Sequence, residues 1–322
     1  MNSPELSIII PAYNCGMYIR NCLDQIIQQF DTFQIKGEVI IVDDGSTDDT
    51  AEIITEYVNQ VAYIKAFFQE NLKQAKARNC GIKNANGKNI LFLDADDTLE
   101  DNMLILLLKE SRNGSFPICG IKKIYTELGI SEVELPTITN TSNSGLQAYL
   151  TTNNEADVGL WNKMFNAAII KDNNILFENS NFFEDSLFVF DYLVNSNQNI
   201  HLINKPLYNL FKRGGSTTTA FDQKIDVLAK GYIKKIINRV NKLKDVNLDK
   251  MTMDTFRIRI TMHIIHHHIK YDGEWTSDKQ RKIIKDSHLE RFLILNRLRG
   301  KYRIAFLGMY LFPREYIKLY RR

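Results

Sequence analysis

The chain has 322 residues, 44% of them hydrophobic and 25% charged, with a formal net charge of +3. This is the profile of a globular protein with one large domain or two and a real core. No apolar stretch reaches the roughly 18–20 residues that a membrane span needs, and no basic segment leads into a long apolar run at the start, which argues against a signal peptide. The charge is uneven. Residues 289–322 hold nine Lys/Arg against two Asp/Glu, so the remainder is mildly acidic. A basic tail on an acidic body suggests an anionic surface as partner. Cys15, Cys22, Cys80 and Cys119 show no C-x-x-C spacing and read as reduced, mostly buried thiols of a cytoplasmic protein.

In chain order, "LSIII" (6–10), "EVIIV" (38–42), "VAYIKAF" (61–67) and "NILFL" (89–93) read as buried strands, separated by helix-like segments near 15–29, 48–59 and 72–86. Alternating strands and helices predict an α/β fold, a mostly parallel sheet with helices on both faces. The second helix is expected to start at Ser46 or Thr47 as N-cap, with Asp48 and Asp49 in its first turn and Gly45 in the turn before it. Residues 111–145 read as loops with a hairpin candidate. From about 217 apolar residues recur at helical spacing, predicting a helical last third. The division expected is 1–112, 113–217 and 218–322.

In an open parallel sheet, ligands bind beyond the carboxyl ends of the strands. "PAYN" (11–14), "DDGS" (43–46) and "DADD" (94–97) follow the first, second and fourth strands, and "ARNCG" (77–81) lies on the helix feeding the fourth. Asp94, Asp96 and Asp97 fall within four positions. Such carboxylates either cap the next helix or share a divalent cation with a phosphate-bearing ligand.

The ordered segments "LSIIIPAYN", "IIVDDGSTDDT", "ARNCGIKNANGKNILFLDADDTL" and "FFEDSLF" (182–188) resemble the motifs of the inverting family 2 glycosyltransferases of bacterial surface-polysaccharide type, over roughly the first 190 residues. "YNLFKRGGSTT" (208–218) resembles the loop that follows in many bacterial members. The resemblance implies a GT-A (Rossmann-like) fold, with 1–112 binding the nucleotide sugar, 113–217 supplying the acceptor site and base, and a helical C-terminal extension.

The resemblance also implies roles. Pro11, Ala12 and Tyr13 would line the nucleotide pocket, Asp44 would accept from the base, typically uracil, and Asp43 would support that turn. Asp94 would face the ribose and Asp96 would bind the metal, with Asp97 as the alternative ligand. A hard ion, Mn²⁺ or Mg²⁺, suits carboxylates and a diphosphate. Arg78 would reach donor or phosphate oxygens or else form a salt bridge. Asp185 would be the catalytic base with Glu184 in support, although both could simply fill the first turn of a helix. One base and in-line attack would invert the anomeric carbon. Arg213 would close over the diphosphate, with Gly214 and Gly215 as hinges. Trp161 would stack on an acceptor sugar or pack in the core, and Lys163 could touch phosphate.

"HIIHHHIK" (263–270) places His263 and His267 at i, i+4, but no local carboxylate or cysteine joins them, so partly exposed helix histidines are expected. Arg314, Lys318, Arg321 and Arg322 form one helical stripe beside "IAFLGMYLF" (304–312), which is too short to span a bilayer but could lie peripherally on an anionic membrane. No nucleic-acid-binding motif accompanies them. The acceptor expected is a glycan or lipid-linked saccharide, and a homo-oligomer stays open. A sugar nucleotidyltransferase and a non-catalytic nucleotide-sugar-binding module are the alternatives.

Overall fold

Continuous apolar runs buried on both faces are the mark of parallel strands, and they form the central sheet here. The computed structural model describes residues 3–152, 154–178, 182–214, 221–243, 246, 248–287 and 300–321. It resolves into two units: 1–141 with 154–213, and 142–153 with 214–322.

The first unit begins β1 (Leu6–Ala12), α1 (Gly16–Phe33), β2 (Gly37–Asp43), α2 (Thr50–Gln60), β3 (Ile64–Phe68), α3 (Gln74–Asn84), β4 (Asn89–Phe92), β5 (Thr98–Leu99), α4 (Met103–Arg112), β6 (Phe116–Tyr125) and β7 (Ile130–Glu134). After α5 (Asn143–Thr151), which groups with the second unit, come α6 (Glu155–Val158), β8 (Phe165–Asn166), α7 (Ala167–Asp172), α8 (Glu184–Asn195) and β9 (Ile200–Lys212). One sheet has the order β3-β2-β1-β4-β8, parallel except for β8; the other is β5-β9-β6-β7. In the first, Ile8 pairs with Val39 on one side and Leu91 on the other, and all three are fully buried. An aromatic cluster joins β4, β8 and α8: Phe92, Phe165, Phe177 and Phe188 meet in edge-to-face and stacked pairs.

Three expectations are corrected. Helix α2 starts at Thr50, because Asp48 holds the preceding turn instead of entering the helix: Oδ1 accepts from the Thr50 N–H and hydroxyl, and Oδ2 from the Gly16 N–H. The third strand is 64–68 rather than 61–67. Residues 208–212, expected as part of a loop, belong to β9, which runs parallel to β6 with a register shift at Gly120. The hairpin expected in 111–145 is the antiparallel pair β6–β7. Cys15, Cys22 and Cys119 are buried thiols and Cys80 is partly buried.

The second unit contains α5, α9 (Ile225–Val240), α10 (Lys250–Tyr271), α11 (Ser277–Asp286), α12 (Gly300–Leu311) and α13 (Pro313–Tyr320). Gln147 of α5 donates to Thr252 Oγ1 of α10, and Arg259 of α10 donates to the Thr152 carbonyl. The core gathers Ile258, Met262, Ile265, Ile269, Trp275, Ile284, Phe306, Met309 and Ile317. The histidine run is more buried than expected. His267 and His268 lie in the interior, and His268 stacks on Trp275 between Asp226 (3.0 Å) and Asp272 (3.3 Å). The tail stripe is also corrected. Arg321 donates to the carbonyls of Ile269, Asp272 and Trp275 near the end of α10, while Arg322 lies outside the described residues, as do Gly215 and 288–299.

Candidate active site

β1 and β2 end side by side, and the Asp44 N–H donates to the Ala12 carbonyl across them (2.8 Å). The "DDGS" turn is then stitched by its own side chains. Asp43 accepts from the Ser46 N–H and hydroxyl. Gly45 sits at φ 77°, with the Asn71 backbone nitrogen 3.0 Å from where a Cβ would stand, so only glycine fits. Asp44 is buried and accepts from Leu72 N (2.8 Å), Lys73 N (2.8 Å) and Gln69 Nε2 (2.7 Å), tying β2 to the loop before α3. Three donors leave one of its roughly four acceptor positions. Tyr13 is half exposed beside this edge, Pro11 partly buried and Ala12 buried.

After β4 the three aspartates diverge. Asp97 is buried and structural: its oxygens accept from the Tyr208 hydroxyl (2.7 Å) and the Phe211 N–H (2.8 Å), which anchors the turn to β9. Both oxygens of Asp97, the alternative metal ligand, are thus already engaged, whereas Asp96 is the more accessible of the two. Asp96 keeps a partly exposed side chain, and its Oδ2 meets Arg213 Nη1 at 2.6 Å. The Arg213 guanidinium lies over the rings of Tyr18 (4.3 Å) and Phe211 (4.7 Å). Arg213 therefore reaches the "DADD" turn.

Arg78, on α3, is 1% exposed. Its Nη2 meets Asp94 Oδ1 and its Nη1 meets Asp185 Oδ1, each at 2.9 Å. One guanidinium thus joins the strand-end carboxylate to the carboxylate expected as base. Glu184 and Asp185 are the first two residues of α8, entered through Phe183 in a left-handed conformation (φ 68°) that a bulky residue adopts at about 1–2 kcal/mol. Glu184 is buried and accepts from Gln74 Nε2, one turn before Arg78 on α3.

Burial raises the Asp96 carboxyl above its ordinary range, with Asp94 adding and Arg213 opposing. Burial and then Asp94 and Asp96 raise Asp97 further. Glu184 is pushed up to about 7, by burial first and then by Asp185. Asp185 is raised by burial while Arg78 pulls it back toward the ionised form. Five carboxylates face two guanidiniums, so the cluster favours either protons or an added cation. Among the described residues no three His, Cys, Asp or Glu side chains are arranged to hold a metal by themselves. A divalent ion would fit with Asp96 and diphosphate oxygens completing its shell, the usual arrangement for Mg²⁺.

Two residues read as candidate ligand contacts lie in the interior. Trp161 is 6% exposed and stacks face to face on Tyr208 (5.3 Å), so it packs in the core and offers no acceptor platform in this conformation. Lys163 is fully buried, its ammonium donating to the Ala156 and Gly159 carbonyls and Asn162 Oδ1; burial lowers it to about 7. Sequence reasoning missed Gln74, Tyr18 and Tyr208. Gln74 was findable, since i, i+4 spacing places it on the Arg78 face of a helix. Tyr208 carried no local signal.

A parallel α/β sheet with carboxylates gathered at its strand ends, followed by a mixed second sheet, defines a GT-A enzyme core. The family model "Glycosyl transferase family 2" matches residues 7–172, about half the chain, and the chain belongs to that family: it is a glycosyltransferase. That decides against the nucleotidyltransferase and binding-module readings. The chain is 28% identical over 67% of its length to a cholesterol galactosyltransferase of Borreliella burgdorferi, of which it spans 62%. It is 28% identical over 74% of its length to a teichoic acid poly(glycerol phosphate) polymerase of Staphylococcus epidermidis, of which it spans 33%. The structure of S. aureus TarS 1–349 in complex with UDP-GlcNAc superposes with a TM-score of 0.64 at 21% identity, covering 98% of this chain and 89% of that one.

Proposed function

We propose that the chain transfers a sugar, with inversion, from a UDP-linked donor to a hydroxyl of a glycan or lipid-linked acceptor, in the synthesis of a surface polysaccharide at the cytoplasmic face of the membrane. The observation that carries this reading is the double salt bridge of Arg78 to Asp94 and Asp185. It brings the carboxylate read as the donor's ribose contact and the carboxylate read as the base onto one rigid guanidinium.

Asp185 accepts the proton of the acceptor hydroxyl as that oxygen attacks the anomeric carbon. The bond to the diphosphate oxygen breaks, and its electron pair stays on that oxygen. Attack opposite the leaving group inverts the centre, so an α-linked donor yields a β-linked product. Arg78 opposes the effect of burial on the Asp185 carboxyl. Asp96 would hold a divalent cation, and that ion, when bound, supplies positive charge for the leaving diphosphate. Arg213, already on Asp96, has the reach and charge to hold the same diphosphate. The uridine is supported by the half-exposed Tyr13 and the acceptor capacity left on Asp44. The lipid-linked acceptor is supported by the relative named for cholesterol, and the surface polymer by the one named for teichoic acid.

The test is a panel of UDP-, GDP- and dTDP-sugars with Mn²⁺ or Mg²⁺, read by thermal stabilisation and slow donor hydrolysis. Metal-dependent stabilisation by UDP-sugars, and β-configured product from an α-linked donor by proton NMR, is expected. Retained configuration, or stabilisation independent of metal, would overturn the mechanism.

A further inference from the structure

Residues 304–312 carry no charged side chain. A helix lying on a core ordinarily turns polar residues outward, and α12 from Ile304 onward has no charged residue to turn. Phe306 and Met309 point into the core of the helical unit. On another side, Ile304, Leu307 and Leu311 follow one another at i, i+3 and i+7, with Ile304 74% and Leu311 53% exposed. Phe312, between α12 and α13, is 62% exposed, and Leu319 of α13 is 71% exposed. The same two helices are basic: residues 300–321 hold five Lys/Arg and one acid, Glu315. Arg314 and Lys318 are exposed one helical turn apart, whereas Arg321 is committed to backbone carbonyls.

We infer that the outer face of α12 and α13, with Ile304, Leu311, Phe312 and Leu319 as apolar anchors and Arg314 and Lys318 as cations, is the surface by which the helical unit rests on an anionic lipid bilayer. The apolar side chains enter the acyl boundary and the two cations meet headgroup phosphates. Charge selects this occupant over a second copy of the chain. A two-fold interface sets the same patch against itself, which would oppose Arg314 and Lys318 to their own counterparts. Among the described residues no helix is long and apolar enough to cross a membrane, so the helices lie on the surface. The inference deepens the reading of a lipid-linked acceptor, since such a lipid presents its sugar at this surface, but the binding is independent of donor and acceptor.

The test is co-sedimentation of the full chain with vesicles of phosphatidylglycerol and phosphatidylcholine in equal parts, against phosphatidylcholine alone. Binding is expected only to the anionic vesicles and weakens with salt. Arg314→Glu with Lys318→Glu is expected to weaken it at least about 25-fold, the product of two headgroup contacts worth about fivefold each. Ile304→Ser with Leu311→Ser and Leu319→Ser is expected to weaken it at least about tenfold even at low salt. Circular dichroism melts are expected to match the parent in both variants, and donor hydrolysis without vesicles is expected to stay at the parent level. Unchanged vesicle binding by either folded variant overturns the inference. So does a parent chain that sediments as a dimer, becomes monomeric in the variants and ignores vesicles. If no sugar nucleotide is accepted while vesicle binding behaves as described, the proposed reaction fails and the docking surface stands.

Discussion

Arg78 carries three tasks on one side chain: it neutralises Asp94, neutralises Asp185, and fixes the distance between them. Removing its charge as Arg78→Met leaves two carboxylates close to each other without a cation. The Asp185 carboxyl then rises further, and the acidic limb of the kcat profile is expected to move to higher pH, an effect that simple loss of stability does not produce. Asp185→Asn keeps the shape and removes the proton acceptor. Turnover should fall by about 10²–10⁴, the usual share of general base catalysis, while metal-dependent donor stabilisation survives. Loss of donor binding in that variant would contradict the division of labour. Glu184 gives a prediction of opposite kind. Its folded value of about 7 lies above its ordinary range, so the native state binds more protons than the unfolded chain. Its contribution to stability is complete below about pH 4.5 and is lost as pH rises through about 7. Glu184→Gln should therefore melt close to the parent at low pH and above it at neutral pH in the absence of ligand, by on the order of 3 kcal/mol at most. Equal melting differences at both pH values would refute the assignment.

At the scale of elements, α3 sets where Arg78 points, and Gly81 sets how close α3 lies to β1. A Cβ at Gly81 would stand 2.3 Å from Ile9 Cγ2, and Ile9 is itself fully buried. Gly81→Ala must push the helix off the sheet, one turn from Arg78. Overpacking of this kind is expected to lower stability by about 1–3 kcal/mol, seen by calorimetry, and to lower kcat more than donor affinity. The same elements explain what could be read beforehand. Strands β1, β2 and β4 were legible because a parallel strand covered on both faces is one uninterrupted apolar run. Strand β9 was not: "HLINKPLYNLFK" mixes polar residues with apolar ones, carries Pro206, and pairs with β6 across more than eighty residues of chain. No local pattern encodes such a pairing. For the same reason the site was legible as motifs but not as bonds. The aspartates stood out, yet the separate fates of Asp96 and Asp97 depend on Tyr208, on β9, and Arg213, just after it, both from far along the chain. The sequence leaves Trp161 between acceptor platform and core because its stacking partner, Tyr208, is also supplied by that strand.

For the molecule as a whole, the two units have separate cores, and the basic tail belongs to the second of them. Phe306, Met309 and Ile317 each bury nearly all of their surface against Ile258, Met262, Ile265, Ile269, Trp275 and Ile284. At about 1.5–3 kcal/mol for each buried side chain, these three contribute on the order of 5–9 kcal/mol, comparable to the net stability of a domain. Arg321 adds three donated bonds to carbonyls at the end of α10. Truncation after Asp286 therefore does more than remove a membrane contact. It uncovers the interior of the helical unit, whereas the bonds among Asp94, Arg78 and Asp185 lie wholly within residues 78–185 of the other unit. The truncated chain is expected to lose a helical melting transition by circular dichroism and to become protease-sensitive between 225 and 286, while still being stabilised by donor and metal. If the truncated chain instead keeps residues 225–286 protected, the packing of α12 and α13 contributes little to that unit. The surface substitutions, which leave Phe306, Met309 and Ile317 in place, are accordingly the ones that separate docking from folding.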